Sequence, residues 1–354
     1  MESERHHSHK HHHHHHHHHP EKKNTKWILP AALIAVAIVI VSIIVLTSYV
    51  RSNTVYTASN SMAPDSDIKF QEVEYKGDKY RYNNRITTIL LAGLDSTGPI
   101  GEQTGYISAP RADSINLIVI DSQNKKLSVI GLDRNTITDI RKYTLDGWDR
   151  GLFPSLLCWA YTYGDGGKVS CENLREAVSL LLYDVPVNKY VIANMSSFEG
   201  LAELIGTVKV TVPNDDLVEK DPKYQKGAVV DVDASNIELF LRYRDTSKNF
   251  TNEGRMERQK AYLKAAADQL LDALTVDPQE SWKKIRKMED FIQTDITRNQ
   301  YLDLVNDLKN VDRENIEFIT PEGSVSAAHR YNEFYPDQEK LLDTVVDTFY
   351  IKQE

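Results

Sequence analysis

Histidine is almost missing from the body of this chain. Of its 13 histidines, twelve stand before Pro20 and only His329 lies beyond. That excludes a histidine-based catalytic dyad or zinc centre from the folded part. Cysteine is as scarce, with only Cys158 and Cys171. They either close one loop of about a dozen residues, worth about 3 kcal/mol, or remain two buried thiols. Surplus positive charge is lacking too: 42 Lys and Arg against 51 Asp and Glu leave a net charge of −9, which argues against non-specific nucleic-acid binding. Internal repeats are absent.

The 354 residues have room for one large or two ordinary domains. Residues 6–19 are nearly all histidine, either a purification leader or a native tail that binds metal loosely. From Trp27 to Val50 no residue is charged, a run long enough for a hydrocarbon core of about 30 Å. Lys22, Lys23 and Lys26 precede it and only Arg51 follows closely. The positive-inside rule then puts residues 1–26 in the cytoplasm and everything after the span outside the cell membrane. A cleaved export signal, the other reading, leaves the main domain outside as well. Residues 51–84 read as a polar spacer, 85–320 as the folded domain and 321–354 as an extension ending in a helix.

Within the domain, 86–93, the segment after Arg111 and 126–132 read as three buried strands, the last two forming a hairpin. Residues 138–167 read as irregular. A helix over 170–183, a strand over 188–193, a helix ended by Gly206 and a strand over 207–213 follow. Ser235 and Glu238 have capping-box spacing and predict a short helix running out near Arg242. A second helix starts near Asn252. Helices over 279–292 and 299–310, a strand over 316–320 and a helix over 336–350 complete the chain. Alternating strands and helices argue an α/β fold, a layered α-β-α domain around a central mixed sheet.

The stretch Leu239–Gln259 carries Arg242, Arg244, Arg255 and Arg258 together with Gln259. If 242–244 is extended, Arg242 and Arg244 point the same way. Arg255 and Gln259, four apart on a helix, share a face. Guanidinium forks at a helix N-terminus suit a phosphate; pairing with Asp245, Glu253 and Glu257 on a solvated face is the plain alternative. Strand ends add Asp95, then Arg111 and Asp113, then Arg134. Asp95 and Asp113 could hold Mg²⁺, which uses one or two carboxylates and leaves positions for substrate phosphates. Metal and arginines around one anion are the parts for phosphoryl transfer.

The motifs ITTILLAGLDS, PRADSINLIVID, KLSVIGLDRNT, YTYG, VNKYVIANMSSFEGLAELIGTVKVTV, LRYRD and GRMERQ occur in that order. Together they resemble the extracellular LytR-CpsA-Psr domain of Gram-positive cell walls, over about Arg85 to Leu274. The resemblance implies a phosphotransferase moving a glycopolymer, teichoic acid or capsule, from a polyprenyl pyrophosphate lipid to peptidoglycan. It implies Asp95 and Asp113 as Mg²⁺ ligands, with Arg111 accompanying Asp113. Arg134, Arg242, Arg244, Arg255 and Gln259 would contact the pyrophosphate, and the lipid tail would lie in an apolar tunnel. Departures from the family pattern are Asn135 in place of an acid, Leu156 in place of a lysine, Cys158 where asparagine is common, and Thr251-Asn252-Glu253 inserted before Gly254. They keep open a member that binds polyprenyl phosphate and regulates the envelope. A pyrophosphatase differs only in using water as acceptor.

Overall fold

The structure, a computed structural model, describes residues 72–103, 105–245, 251–326 and 332–353. The histidine run, the expected membrane span, most of the spacer and His329 lie outside them. Among the described residues no helix is long and apolar enough to cross a membrane.

In chain order the strands are β1 (Glu72–Tyr75), β2 (Asp78–Tyr82), β3 (Ile86–Leu94), β4 (Ala112–Asp121), β5 (Lys126–Leu132), β6 (Ile137–Tyr143) and β7 (Asp149–Leu156). Helices α1 (Trp159–Thr162) and α2 (Lys168–Leu181) lead to β8 (Lys189–Asn194), α3 (Phe198–Ile205), β9 (Val208–Thr211) and β10 (Val229–Val232). Then come α4 (Ile237–Arg242), α5 (Thr251–Thr275), α6 (Pro278–Arg286), β11 (Ile292–Thr294), α7 (Arg298–Lys309) and β12 (Ile316–Ile319). A hairpin of β13 (Gly323–Ser326) and β14 (Glu333–Pro336), α8 (Gln338–Phe349) and β15 (Tyr350–Lys352) close the chain.

The central sheet has the order β11-β8-β3-β4-β5-β12. It is mixed: β3 is antiparallel to β4 and parallel to β8, and β12 is parallel to β5. Both faces are covered, which explains why its inner strands read as unbroken apolar runs. Alternate residues of β3 serve different cores: Ile89 and Leu91 pack with Leu263 and Leu270 of α5, Leu90 and Ala92 with Leu174 of α2 and Phe349 of α8. Because β3, β4 and β5 alternate in direction, the end of β3, the start of β4 and the end of β5 share one edge. That edge carries Asp95, Arg111, Asp113 and Arg134.

Several elements differ from the sequence reading. Residues 72–82, read as spacer, form the β1–β2 hairpin, which pairs with β15 at the other end of the chain. Residues 138–156 form the β6–β7 hairpin, whose alternation is broken by a bulge between Arg141 and Tyr143. The helix expected over 279–292 stops at Arg286, and Ile292–Thr294 instead pairs with β8 at the sheet edge. The capping box does not form: the Ser235 hydroxyl donates to Asp233 at 2.6 Å, and Asn236 stands at the N-cap. Both cysteines are free and buried.

Candidate functional site

The strand edge and the start of α5 meet around Asp113. Its carboxylate is fully buried and ion-pairs with Arg134, with Arg255 Nη1 at 3.8 Å on the other oxygen. Arg255 Nη2 donates to Asn252 Oδ1 at 2.5 Å and to the Asp113 carbonyl at 3.4 Å. Asn252 in turn donates from Nδ2 to both Asp133 oxygens, at 3.2 and 3.1 Å. A chain of contacts therefore runs Asp133–Asn252–Arg255–Asp113–Arg134 and ties α5 to the ends of β4 and β5. Asp95 accepts from Arg111 Nη2 at 3.0 Å, and its backbone N–H donates to the Arg111 carbonyl at 2.9 Å. Cys158, just before α1, accepts from Arg134 Nη2 at 3.6 Å.

Arg242 ends α4 and pairs with Glu238 one turn earlier. Tyr243 is extended, at φ −56° and ψ 134°, so only part of 242–244 has the expected strand-like geometry. Arg242 and Arg244 nonetheless both feel the charges of Asp95 and Asp113, and Arg244 also feels Arg134 and Arg111. Gln259 is committed to the fold through its amide, which donates to the Leu241 carbonyl at 3.1 Å. It still faces the cluster, lining a gap of about 20 Å³ with Asp113, Arg134, Asn252 and Met256. All the residues expected at the site are thus in one neighbourhood.

Burial is the main influence on the charges of the cluster. Burial lowers the pKa of Arg242, offset in part by Glu238, and burial with Arg134 lowers that of Arg244. Burial pushes Arg255 down to about 9 despite Asp113, and Arg134 and Arg244 add to the fall. Burial also opposes Arg134, but Asp113 and Cys158 outweigh it and hold its pKa above the usual value. Burial raises Asp95, as does the charge of Asp113, against the pull of Arg111. The Nε atoms of Arg134, Arg244 and Arg255 are buried without an acceptor among the described residues. Buried donors are almost always satisfied, and an anion with several oxygens would satisfy these.

A divalent cation meets a partial donor set. Among the described residues no group of three or more His, Cys, Asp or Glu side chains converges. Asp95 and Asp113 are close enough for their charges to interact, while Asp113 Oδ1 pairs with Arg134 and Oδ2 stands 3.8 Å from Arg255 Nη1, so a cation there would share Asp113 with the arginines. Two carboxylates suit Mg²⁺ when ligand phosphate oxygens and water complete the shell.

Beneath the cluster, Asn116, Gly131, Met256 and Gln259 line both this gap and a neighbouring pocket of about 270 Å³. This pocket lies between the sheet and α5 and is lined by Val129, Leu263, Phe318 and Ile319.

Sequence reasoning missed Asp133 and Asn252 as the residues that aim Arg255. Asn252 belongs to the three-residue insertion, so the departure from the family pattern supplies a contact of its own. Leu156, where the pattern has lysine, is buried at the end of β7.

Comparison with known proteins bears on the family and the fold. A model of the LytR_cpsA_psr family matches residues 45–348. The chain is 26% identical over 228 residues to the polyisoprenyl-teichoic acid–peptidoglycan teichoic acid transferase TagU of Bacillus cereus, covering 63% of this chain and 64% of that protein. It is 23% identical to TagV of Bacillus subtilis, covering 75% of this chain and 66% of that one. These matches span slightly less than two thirds of either relative. Among solved structures, B. subtilis TagV superposes with a TM-score of 0.55 at 21% identity, over 75% of this chain and 98% of that one. TagT bound to LIIa-WTA superposes with 0.55 at 20%, over 75% and 90%. Protein gbs0355 from Streptococcus agalactiae gives 0.57 at 18%, over 75% and 88%. Such structural likeness speaks for the fold, and the family model, which spans most of the sequence, shows that this chain belongs to the LytR-CpsA-Psr (LytR_cpsA_psr) family.

Proposed function

We propose that this protein transfers a glycopolymer from a polyprenyl pyrophosphate donor to peptidoglycan, leaving a phosphodiester. The observation that carries the reading is the gathering of Arg134, Arg244 and Arg255 around Asp113, each with a buried Nε that has no acceptor among the described residues. A pyrophosphate offers several oxygens to such donors, bidentate where the fork allows. The apolar pocket beyond Gln259 suits the start of an isoprenoid chain. The relatives' names refer to polyisoprenyl-linked teichoic acid and peptidoglycan, and TagT has been solved with LIIa-WTA. An uncharged run at 27–50 would hold the enzyme beside a donor that stays in the bilayer, with the domain on the outer side.

In this reading Arg242, Arg244 and Arg255 hold the pyrophosphate, and Arg134 stabilises charge that builds on the leaving polyprenyl phosphate. Fixed donors in a dry site stabilise such charge better than water does. Asp133 and Asn252 keep Arg255 in place. A carboxylate takes the proton of the acceptor hydroxyl. Asp95 is the more open of the two, since Arg134 and Arg255 enclose Asp113. Asp95 and Asp113 would hold Mg²⁺, which supplies further charge neutralisation at the phosphates.

The test is transfer of labelled polymer by the full chain in lipid nanodiscs. Changing Arg242 and Arg244 together to alanine is expected to cut transfer by at least about 100-fold, the scale for losing transition-state donors. Chelating divalent ions is expected to stop it. Normal transfer by the double variant would end the assignment. Phosphate release without incorporation would make the protein a pyrophosphatase. Leu156, an apolar side chain where the pattern has a cation, favours one rival: a member that binds donor without transferring it, shown by donor binding with no product.

A further inference from the structure

The side of the sheet away from α5 carries an aromatic surface, half-buried to exposed, that the proposed function does not use. Trp159 stacks against Tyr163 with ring centroids 6.1 Å apart. Lys142 Nζ stands 5.2 Å from the Tyr163 ring centre and 5.6 Å from that of Phe153, a cation held between two aromatic faces. Phe153 is 42% exposed and Trp148, at the tip of the same hairpin, 72% exposed. Trp159 and Tyr163 are half-buried against the core beside them, and a contiguous apolar patch that is partly open marks a contact surface.

The strip runs into the site. Trp159 follows Cys158, whose sulfur accepts from Arg134 and whose carbonyl accepts from Ala112 N–H at 3.1 Å. Thr162 donates to the Pro110 carbonyl at 3.0 Å, so α1 is fixed to the loop that carries Arg111.

Its side of the sheet matters chemically. The apolar pocket lies on the α5 face, among the core residues Val129 and Leu263. Trp159 and Tyr163 pack on the opposite core, with Ile140 and Leu174. In a phosphoryl transfer the attacking and leaving oxygens lie roughly in line, on opposite sides of the phosphorus. With the lipid on the α5 side, the acceptor hydroxyl must come from the side of the strip.

Resting on the transferase reading, we propose that the strip Trp159–Tyr163–Lys142–Phe153 is the subsite for the acceptor saccharide, a chain of N-acetylated hexosamines. The C–H faces of such sugars are weakly positive and stack on the negative faces of aromatic rings. Lys142 offers a donor to ring or acetamide oxygens, or to a carboxylate on the sugar. A bilayer is the competing occupant.

The experiment measures binding of a fluorescent peptide-free peptidoglycan glycan strand to the full chain in neutral-lipid nanodiscs, beside binding of a short-chain polyprenyl pyrophosphate. Phe153→Ala is expected to weaken glycan binding about tenfold, Phe153→Tyr to restore most of it, and neither to change pyrophosphate binding. Phe153 is half exposed on a hairpin, so the fold should tolerate both. Unchanged glycan affinity in Phe153→Ala, or a wild-type chain that does not bind glycan, overturns the proposal. So does loss of vesicle binding in Trp148→Ala and Phe153→Ala with glycan binding intact, which would make the strip a membrane contact. Glycan binding without pyrophosphate binding sinks the transferase reading and leaves the subsite standing. Transfer that is insensitive to Phe153 sinks the subsite alone.

Discussion

Arg255 and Arg258 leave neighbouring turns of α5 toward different partners. Arg255 turns to Asp113 and Asn252. Arg258, fully buried, donates to the Phe240 carbonyl at 3.0 Å, to the Tyr243 carbonyl, and to Asp216 Oδ2 at 2.6 Å. It therefore holds the segment that presents Arg242 and Arg244. Replacing Arg258 with leucine strands two backbone acceptors and one carboxylate, a loss of about 3 kcal/mol; a lowered urea midpoint is expected, with activity falling as that segment loosens. Arg244 is the converse case. Its Nε has no acceptor among the described residues and burial lowers its pKa, so the folded protein carries an uncompensated desolvation there. Arg244→Leu is expected to keep or raise Tm in calorimetry while weakening pyrophosphate binding at least about tenfold. A fall in Tm like that of Arg258→Leu would show that Arg244 is structural. Spacing alone could not separate these arginines, because a three-residue step on a helix leaves both near one face.

Helix α5 spans 25 residues and joins the site to the core, and Gly254 sits in its first turns. Alanine there should gain about 1 kcal/mol from helix propensity. Its Cβ, however, would collide with the Asp216 carboxylate, the group that Arg258 grips. Gly254→Ala is expected to destabilise in urea titration, and Asp216→Ala in the same background to recover part of the loss. If Gly254→Ala alone stabilises, the close approach is not a constraint. The start of α5 and the strands β3, β4 and β5 were legible in the sequence because each has an unbroken pattern: apolar runs for the strands, a polar cluster and then helical spacing for α5. The turn at Asn124–Lys125, also readable, makes β4 and β5 antiparallel and brings Arg134 beside Asp113, whereas the antiparallel pairing of β3 with β4 that adds Asp95 was not readable. Hidden from view were elements whose pattern is broken or very short, and contacts whose partners are remote. The β6–β7 hairpin has a bulge that breaks its alternation, β11 is three residues long and exists only against β8, and Asn252 needs Asp133, 119 positions away.

At the scale of the molecule, the C-terminal extension belongs to the fold. Leu341, Val345 and Phe349 of α8 fill the core on the α2 side of the sheet, and burying each such side chain is worth about 1.5–3 kcal/mol. Asn83 N–H donates to the Phe349 carbonyl at 2.8 Å. Truncation after Pro336 is expected to abolish the cooperative melting transition; a truncated chain with wild-type Tm would show the extension to be dispensable. Beyond that, β15 runs beside β2 with Tyr350 opposite Tyr82 and Lys352 opposite Tyr80, while β1 flanks β2 on its other side. The two flanking strands point the same way, so the chain enters β1 at one end of this small sheet and leaves β15 toward the other. If a tethered N-terminus were tugged against a C-terminus caught in a growing wall, the load would run along the strands. Every rung of both ladders would then bear force together rather than one after another, making this corner a brace against mechanical tearing.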